Sequence, residues 1–240
     1  LAQTIPNCVS YDPTYSYELA VIIQDGLRRM YLARENRFYY ITTMNENYPH
    51  PEMPAGAEEG IIRGMYRLRR SPREDGPRVQ LLGSGAILRE VEAAAELLAS
   101  DYGVAADIWS VTSINELARD GRACHRWNRL HPGEEPRVPY LTQLLEDVDG
   151  PAVLATDYIT PYGEQLRAYM PRPYTVLGTD GFGRSDTRAK LRQFFEVSRE
   201  FIAFSALGAL AAEGALEPAK VAEARRDLGI DPDKIDPTLA

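Results

Sequence analysis

Cysteine and histidine are scarce in this sequence. Its 240 residues include two cysteines, Cys8 and Cys124, and three histidines. So few cysteines in a chain of this length exclude a disulfide-rich scaffold and favour a reducing compartment. Zinc needs four ligands at regular spacing, and Cys124, His125 and His131 make up one incomplete cluster without a second pair. Because neighbouring residues on a helix point in different directions, Cys124 and His125 are not expected to form a nucleophile pair either.

Long apolar runs and an excess of positive charge are also missing. No stretch approaches the roughly 18–20 apolar residues that span a bilayer. The first residues lack the basic start and apolar core of a signal peptide. The formal net charge is -8 and the isoelectric point is about 5.1, which disfavours nucleic acid as a partner. We therefore expect a cytoplasmic protein that binds neither nucleic acid nor a membrane.

No complete phosphate-binding motif is present, although two glycine-rich turns raise the question. Gly83-Ser84-Gly85 follows a predicted strand and opens a predicted helix, where free backbone N–H groups can bind phosphate. The third glycine of the dinucleotide fingerprint is missing. A plain turn between strand and helix is therefore favoured, with nucleotide binding as the alternative.

The second turn spans residues 178–183 and reads GTDGFG. It lacks the Gly-Lys-Ser/Thr ending of a Walker loop. Its glycines permit unusual backbone angles, so a structural role is favoured over a ligand site. Asp180 and Arg184 are expected to pair across the turn, and Ser185 or Asp186 is expected to cap the helix that follows.

Tyrosine is abundant, with 14 residues. Many of them crowd the first third of the chain, among them Tyr15, Tyr17, Tyr31, Tyr39, Tyr40, Tyr48 and Tyr66. Tyrosine suits places where the ring is buried and the hydroxyl meets a polar partner, so a half-buried core and a subunit interface both stay open. His50, among prolines, is interpreted as a solvated loop residue. The acidic pairs Glu58-Glu59 and Glu134-Glu135 are interpreted as solvated faces.

Strands and helices alternate along the chain. Short β-prone runs predict strands at residues 8–11, 38–43, 79–82, 106–111, 152–155 and 174–177. Asp12, with Pro13 behind it, is expected to begin the first helix, and Ser113 with Glu116 forms a capping box for a later one. This alternation predicts an α/β fold with a mostly parallel, doubly wound sheet.

The first strand-helix-strand unit, residues 6–43, cannot cover both faces of its own sheet. A loop rich in proline and glycine follows it. We therefore predict the end of one α/β domain at residues 1–48, a linker at 49–75, and a complete α/β domain at 76–240. The last domain is expected to end in two helices, from Arg199 and from Pro218. A first residue that is Leu1 rather than Met suggests a piece of a longer protein.

Six blocks of the sequence resemble the homodimeric type of bacterial pyruvate dehydrogenase, the thiamine-diphosphate-dependent decarboxylating component of its complex. The blocks are YYITTMNENY (39–48), GAEEGI (56–61), VQLLGSGAILREV (79–91), DIWSVTSINELARDG (107–121), RVPYL (137–141) and GTDGFGRSDTR (178–188). They occur in the same order as in the family and cover the chain from about Thr4 to Ala240. Transketolases are similar to a lesser degree.

The resemblance implies a transketolase-like C-terminal domain at 76–240, preceded by the end of the pyrimidine-binding domain. It implies an oxidoreductase of glycolytic carbon flow that decarboxylates pyruvate and acetylates the lipoyl group of dihydrolipoyl acetyltransferase. It further implies thiamine diphosphate and Mg²⁺ as cofactors of the full-length enzyme, a homodimer in the bacterial cytoplasm, and contact with the rest of its own polypeptide.

The same resemblance assigns no catalytic, cofactor-binding or metal residue to this chain. The diphosphate motif of the family begins Gly-Asp-Gly and ends at an asparagine, whereas Asp180-Gly181 follows a threonine and no asparagine comes after it. None of the three histidines, His50, His125 and His131, matches a catalytic histidine of the family, and the activating glutamate lies upstream. Transketolases place a phosphate-binding arginine near Tyr11-Asp12, and its absence here suits an unphosphorylated substrate such as pyruvate.

Two alternatives stay open. In the first, the chain is a scaffold and dimerisation part of this enzyme, of another thiamine-diphosphate 2-oxo acid dehydrogenase, or of a transketolase-like enzyme. In the second, it is an inactive assembly and docking module. A nucleotide-binding domain using Gly83–Gly85 is a third, weaker interpretation.

Overall fold

The structure is a computed structural model, and it describes residues 2–240. The strands are β1 (Cys8–Tyr11), β2 (Phe38–Ile41), β3 (Tyr66–Arg69), β4 (Arg78–Gly83), β5 (Ala105–Ser110), β6 (Ala152–Ala155) and β7 (Tyr174–Leu177). The α-helices are α1 (Ser16–Leu27), α2 (Glu58–Arg63), α3 (Leu88–Asp101), α4 (Ile114–Leu130), α5 (Tyr140–Leu145), α6 (Thr160–Glu164), α7 (Arg188–Phe194), α8 (Arg199–Ala212) and α9 (Pro218–Asp227). A π-helical turn, Arg28–Leu32, extends α1.

Five strands form the main sheet, in the order β3-β5-β4-β6-β7. The pairs β5–β4, β4–β6 and β6–β7 are parallel, and β3 pairs antiparallel with β5 at one edge. The predicted doubly wound, mostly parallel sheet is therefore confirmed. Residues 79–83 of β4 are all buried, as expected for a central parallel strand that is covered on both faces.

Helices cover the main sheet on both sides. Consecutive strand residues point to opposite faces, so Leu81 and Leu82 enter different cores. Leu81 packs in a cluster with Val91 of α3 and with side chains of α8. Leu82 packs in a second cluster with Leu117 of α4 and Leu141 of α5. The sheet thus lies in the middle of a three-layer arrangement.

A smaller unit precedes the main sheet. Strands β1 and β2 pair in parallel, with α1 between them in sequence, which confirms the predicted strand-helix-strand unit. Strand β1 is buried throughout, whereas Phe38 and Tyr40 of β2 are 41% and 55% exposed. A third core joins this unit to α2 and β3 through Val9, Ile61 and Tyr66.

Most helix boundaries follow the sequence, but the first helix does not. Helix α1 begins at Ser16, with Tyr15 at the N-cap position, so the predicted start at Asp12 and Pro13 is wrong. Asp12 lies four residues ahead of the helix, and its Oδ1 atom accepts hydrogen bonds from Thr42 and Tyr158. Ser113 does cap α4, because its Oγ accepts the Glu116 amide at 3.0 Å. Helices α8 and α9 begin where predicted.

Two elements, α2 and β3, lie inside the predicted linker at 49–75, and neither follows from the sequence pattern. Strand β3 belongs to the main sheet, where Tyr66 is in register with Ser110. The sheet therefore takes up residues ahead of position 76, and the division into domains stays a prediction. Within residues 2–240, no helix combines the length and apolarity that a membrane crossing requires.

Candidate functional site

The main sheet has one topological switch point, between β4 and β6. From β4 the chain crosses to β5 on one side, and it later returns to β6 on the other. Gly83 at the end of β4 is in register with Ala155 at the end of β6. Ligands of doubly wound folds bind outside the carboxyl ends of strands at such a point, so this crevice is the first candidate site.

The loop between β1 and α1 fills this crevice. Thr14 Oγ1 donates a hydrogen bond to the Gly85 carbonyl at 2.7 Å. The Tyr158 hydroxyl, just after β6, donates to Asp12 Oδ1 at 2.7 Å, and Thr42 Oγ1 donates to the same oxygen at 2.8 Å. A Cβ placed on Gly85 would lie 3.9 Å from Asp12 Cβ and from Asp157 Oδ1. The glycine turn of residues 83–85 therefore faces other parts of the chain.

The charge of the crevice is unfavourable for phosphate. Asp12 is 5% exposed, and burial raises the pKa of its carboxyl group, against the hydrogen bonds from Tyr158 and Thr42. Burial also raises the pKa of Asp157, and the nearby Asp12 raises it further. Two acidic groups at the switch point would repel a dinucleotide or a diphosphate. The geometry supports the turn interpretation of residues 83–85.

A fully buried carboxylate, Glu18 of α1, lies beside this loop. Its Oε2 accepts the amides of Thr14 and Tyr15 at 2.6 and 2.9 Å. Its Oε1 accepts the hydroxyls of Tyr66 and Ser110 at 2.7 and 2.6 Å. Burial raises the pKa of Glu18, and these four donors oppose the rise. One side chain thus joins the small unit, β3 and β5, and the sequence analysis did not identify it.

The GTDGFG turn has partners other than those predicted. Asp180 accepts hydrogen bonds from the amide and the hydroxyl of Thr160. The guanidinium of Arg184 lies 4.3 Å above the ring of Phe194. The predicted Asp180–Arg184 pair is therefore wrong, because each group has a nearer partner after the chain folds back on α6 and α7.

The cap of α7 also differs from the prediction. Thr187 occupies the N-cap position, and its hydroxyl accepts the Lys190 amide at 3.4 Å. Neither Ser185 nor Asp186 caps the helix, and Asp186 accepts the amide of Thr187. Gly181 has a φ of +99°, and a Cβ there would lie 2.2 Å from the Pro237 carbonyl oxygen. This glycine is needed for a close approach of the C-terminal segment.

The cysteine and histidines of α4 do not converge. Cys124 is buried, and burial raises the pKa of its thiol. The ring of His125 packs edge-on against Tyr169, with ring centroids 4.9 Å apart. His131 stacks on Trp127. Across residues 2–240, no group of three or more Cys, His, Asp and Glu side chains is arranged to hold a metal ion.

His50 is exposed, yet it belongs to an aromatic cluster. Its Nδ1 accepts the Ser16 amide at 3.1 Å, and its ring centroid lies 4.7 Å from that of Tyr48. Tyr15 contributes an edge-on contact to both rings. Tyr31, in contrast, is 71% exposed. The tyrosines therefore divide between a half-buried cluster and an exposed surface.

Two family models match the chain. The transketolase-like TK C-terminal domain matches residues 64–198, and the middle domain of the pyruvate dehydrogenase E1 component matches residues 1–51. The first match covers more than half of the 240 residues.

Curated bacterial relatives align over nearly the whole chain. The pyruvate dehydrogenase E1 component of Pseudomonas aeruginosa is 58% identical over 99% of the chain, and that of Escherichia coli K12 is 57% identical over 99%. The E1 component of Cupriavidus necator is 56% identical over 97%. The chain spans 26–27% of the length of these relatives.

Solved structures share the fold at low identity. The transketolase of Leishmania mexicana has a TM-score of 0.61 at 16% identity, covering 88% of this chain and 26% of the other. A split-gene transketolase, described as an inactive β4 tetramer, has a TM-score of 0.57 at 17% identity, covering 88% and 59%. The expected family and fold are confirmed: this chain belongs to the transketolase-like C-terminal domain family, and it is similar to bacterial pyruvate dehydrogenase E1 components.

Proposed function

We propose that this chain is part of an E1 enzyme that decarboxylates pyruvate oxidatively and acetylates the lipoyl group of dihydrolipoyl acetyltransferase. The observation that carries the proposal is the 56–58% identity to E1 components over 97–99% of the chain. The further parts of the proposal are a homodimer, a bacterial cytoplasmic location and a step that follows glycolysis.

Thiamine diphosphate and Mg²⁺ do not fit the residues that the structure describes. The switch-point crevice contains the buried carboxyl group of Asp12 with Asp157 close by, and the loop after β1 fills it. No suitable cluster of metal ligands exists among residues 2–240. We therefore propose that the cofactor site lies in other parts of the enzyme and that this chain supplies a scaffold.

Two exposed apolar surfaces support the scaffold role. Phe38 and Tyr40 line a cavity of about 640 Å³ together with Ile5 and Ile159. A two-stranded sheet is marginal without cover, so we propose that the rest of the polypeptide packs on this side. The second surface, formed by Leu27, Tyr31 and Leu32, is 54%, 71% and 81% exposed. We propose that a second subunit covers it.

The cofactor proposal is tested by calorimetry. The purified chain is titrated with thiamine diphosphate, with and without Mg²⁺. We expect no Mg²⁺-dependent binding, because residues 2–240 offer no cluster of metal ligands and the loop after β1 occupies the switch point. A tight complex that requires Mg²⁺ would contradict the placement of the cofactor elsewhere.

The enzyme proposal is tested by complementation. The chain is mixed with the upstream three quarters of the E. coli relative, and pyruvate decarboxylation is measured with an artificial electron acceptor. We expect activity from the mixture and none from either part. If the mixture is inactive while the full-length E. coli relative is active in the same assay, the enzyme proposal loses its support.

A purely structural assembly module is the second candidate, and the exposed surface of Leu27, Tyr31 and Leu32 favours it. Sedimentation of the chain and of a Tyr31→Ser/Leu32→Ser double variant measures its self-association. We expect a dimer that the double variant weakens. A strictly monomeric chain that also fails to complement would remove the support for both candidates.

A further inference from the structure

A cavity of about 350 Å³ lies between the GTDGFG turn and helix α7, next to the switch point, since Ala86 and Asp157 are among its lining residues. Its wall includes three arginines, Arg184, Arg188 and Arg192. Its other side is apolar, with Ile87 and Phe195 among the lining residues. Small-molecule sites combine these two features, a mostly apolar wall and a few convergent polar groups.

Arg184 is free to bind an added ligand. Within residues 2–240 its guanidinium takes part in no ion pair, and it lies 4.3 Å above the Phe194 ring. Stacking on an aromatic face orients the planar group and leaves its edge N–H donors available. An arginine held in this way loses less conformational entropy when it binds an anion.

The surroundings of the cavity carry more positive than negative charge. Arg188 and Arg192 are one turn apart on α7, and both lie 3.7 Å from Glu46. Arg89 also contacts Glu46, at 3.0 Å, so three guanidinium groups share one carboxylate. Glu90 is shared in the same way by Arg192 and Arg199. Together with Arg184, five arginines thus face two glutamates in a chain whose net charge is -8.

One acidic group does line the cavity. Asp157 lines it, and partial desolvation together with the nearby Asp12 raises the pKa of its carboxyl group. The charge of Asp157 opposes an anion, and its protonated form can donate a hydrogen bond instead. A ligand is therefore expected to place its charge near Arg184 and Arg188 and its apolar part toward Ile87 and Phe195.

We propose that this cavity binds a small organic anion, with a carboxylate or phosphate group paired with Arg184 and Arg188 and an apolar body against Ile87 and Phe195. Arginine pairs with either group through two parallel hydrogen bonds. The cavity adjoins the switch-point crevice through Asp157. The proposal does not depend on the enzymatic function proposed above, because this cavity needs no cofactor.

Calorimetry with matched probes tests this site in the full chain. Benzoate and phenyl phosphate are the anionic probes, benzamide is the neutral probe of the same shape as benzoate, and inorganic phosphate lacks the apolar body. We expect at least one of the two aromatic anions to bind and benzamide not to bind. Preference between benzoate and phenyl phosphate identifies the anionic group, and weaker binding of inorganic phosphate shows the contribution of the apolar wall.

Variants locate the binding. Arg184→Gln is expected to weaken the affinity about tenfold or more, since it removes charge-assisted hydrogen bonds. Arg137→Gln is the matched control, because Arg137 also lies 4.3 Å above an aromatic ring, that of Trp127, outside the cavity. It should leave affinity unchanged. If Arg184→Gln unfolds the chain, Arg188→Gln takes its place. The proposal is overturned if benzamide binds as well as benzoate or if no anion binds. It is also overturned if the cavity variant and the control variant bind the anion with equal affinity.

Discussion

Glu18 gives the sharpest test of how the two units are joined. Replacing it with alanine leaves the Thr14 and Tyr15 amides without their acceptor, along with the Tyr66 and Ser110 hydroxyls. A buried donor without a partner costs about 1–3 kcal/mol, so the two amides alone account for roughly 2–6 kcal/mol. Removing a buried charge offsets part of this loss. We expect Glu18→Ala to lower the free energy of unfolding by about 2–4 kcal/mol.

Urea unfolding measures this loss. It is followed by circular dichroism for the helices and by fluorescence of the two tryptophans, of which Trp109 is 2% exposed. Coincident transitions justify a single free energy of unfolding. Glu59→Ala on the exposed side of α2 is the control, since its side chain is 79% exposed, and we expect a change within about 0.5 kcal/mol. If Glu18→Ala costs no more than this control, the view of Glu18 as the joint between the units is refuted.

Three further predictions concern the turn before β6, acid stability and the switch point. Gly150 has a φ of +82°, and a Cβ placed there would lie 1.8 Å from the Arg78 carbonyl oxygen. Gly150→Ala is therefore expected to lower the free energy of unfolding in urea by more than about 2 kcal/mol. Gly133→Ala is the control and should change it little, because no atom lies within 4 Å of a Cβ at Gly133. Burial alone would raise the pKa of Glu90, but Arg199 and a second arginine lower it below its ordinary value of 4.5. The ionised Glu90 carboxylate therefore stabilises the fold above about pH 4.5, and this stabilisation is lost as the pH falls. The melting temperatures of the Glu90→Gln variant at pH 7 and pH 4 should then differ less than those of the unchanged chain. An equal difference in both proteins would contradict this prediction. A fluorescence titration with NADH should be flat, and saturable binding would show that the switch-point crevice opens.

Most of the main sheet could be predicted from the sequence, because the signals of its strands are local. The strands at residues 79–82 and 106–111 show as apolar runs between turn residues, and the order of strands and helices determines a doubly wound topology. The Ser113 cap was predictable for the same reason, since its partner Glu116 is three residues away. Strand β3 was missed because its sequence, YRLR, is half charged and its pairing partner lies about forty residues further along.

The errors concern side chains whose partners are distant in sequence. Asp12 looks like a helix cap, yet Tyr158 lies 146 residues away and competes for the same carboxyl group. Asp180 looks like the partner of Arg184, but it instead accepts from Thr160 on a neighbouring helix. Local spacing cannot reveal such competition. For Glu18, the available signal was an acidic residue inside the apolar stripe of a helix. Such a position predicts burial, and a buried glutamate needs several hydrogen-bond donors from elsewhere in the chain.

The joint between the two units has a consequence for the order of folding during synthesis. The ribosome produces residues 8–41 before Ser110 and Tyr158, whose contacts complete the packing of this unit. At about 5–20 residues per second, the loop after β1 waits several seconds for Tyr158 to be made. The carboxyl group of Glu18 stays hydrated until Ser110 is made, and that of Asp12 lacks its Tyr158 partner until the end of this interval. The emerging segment is therefore vulnerable to proteolysis and mispairing over this interval, and completion of β6 ends it.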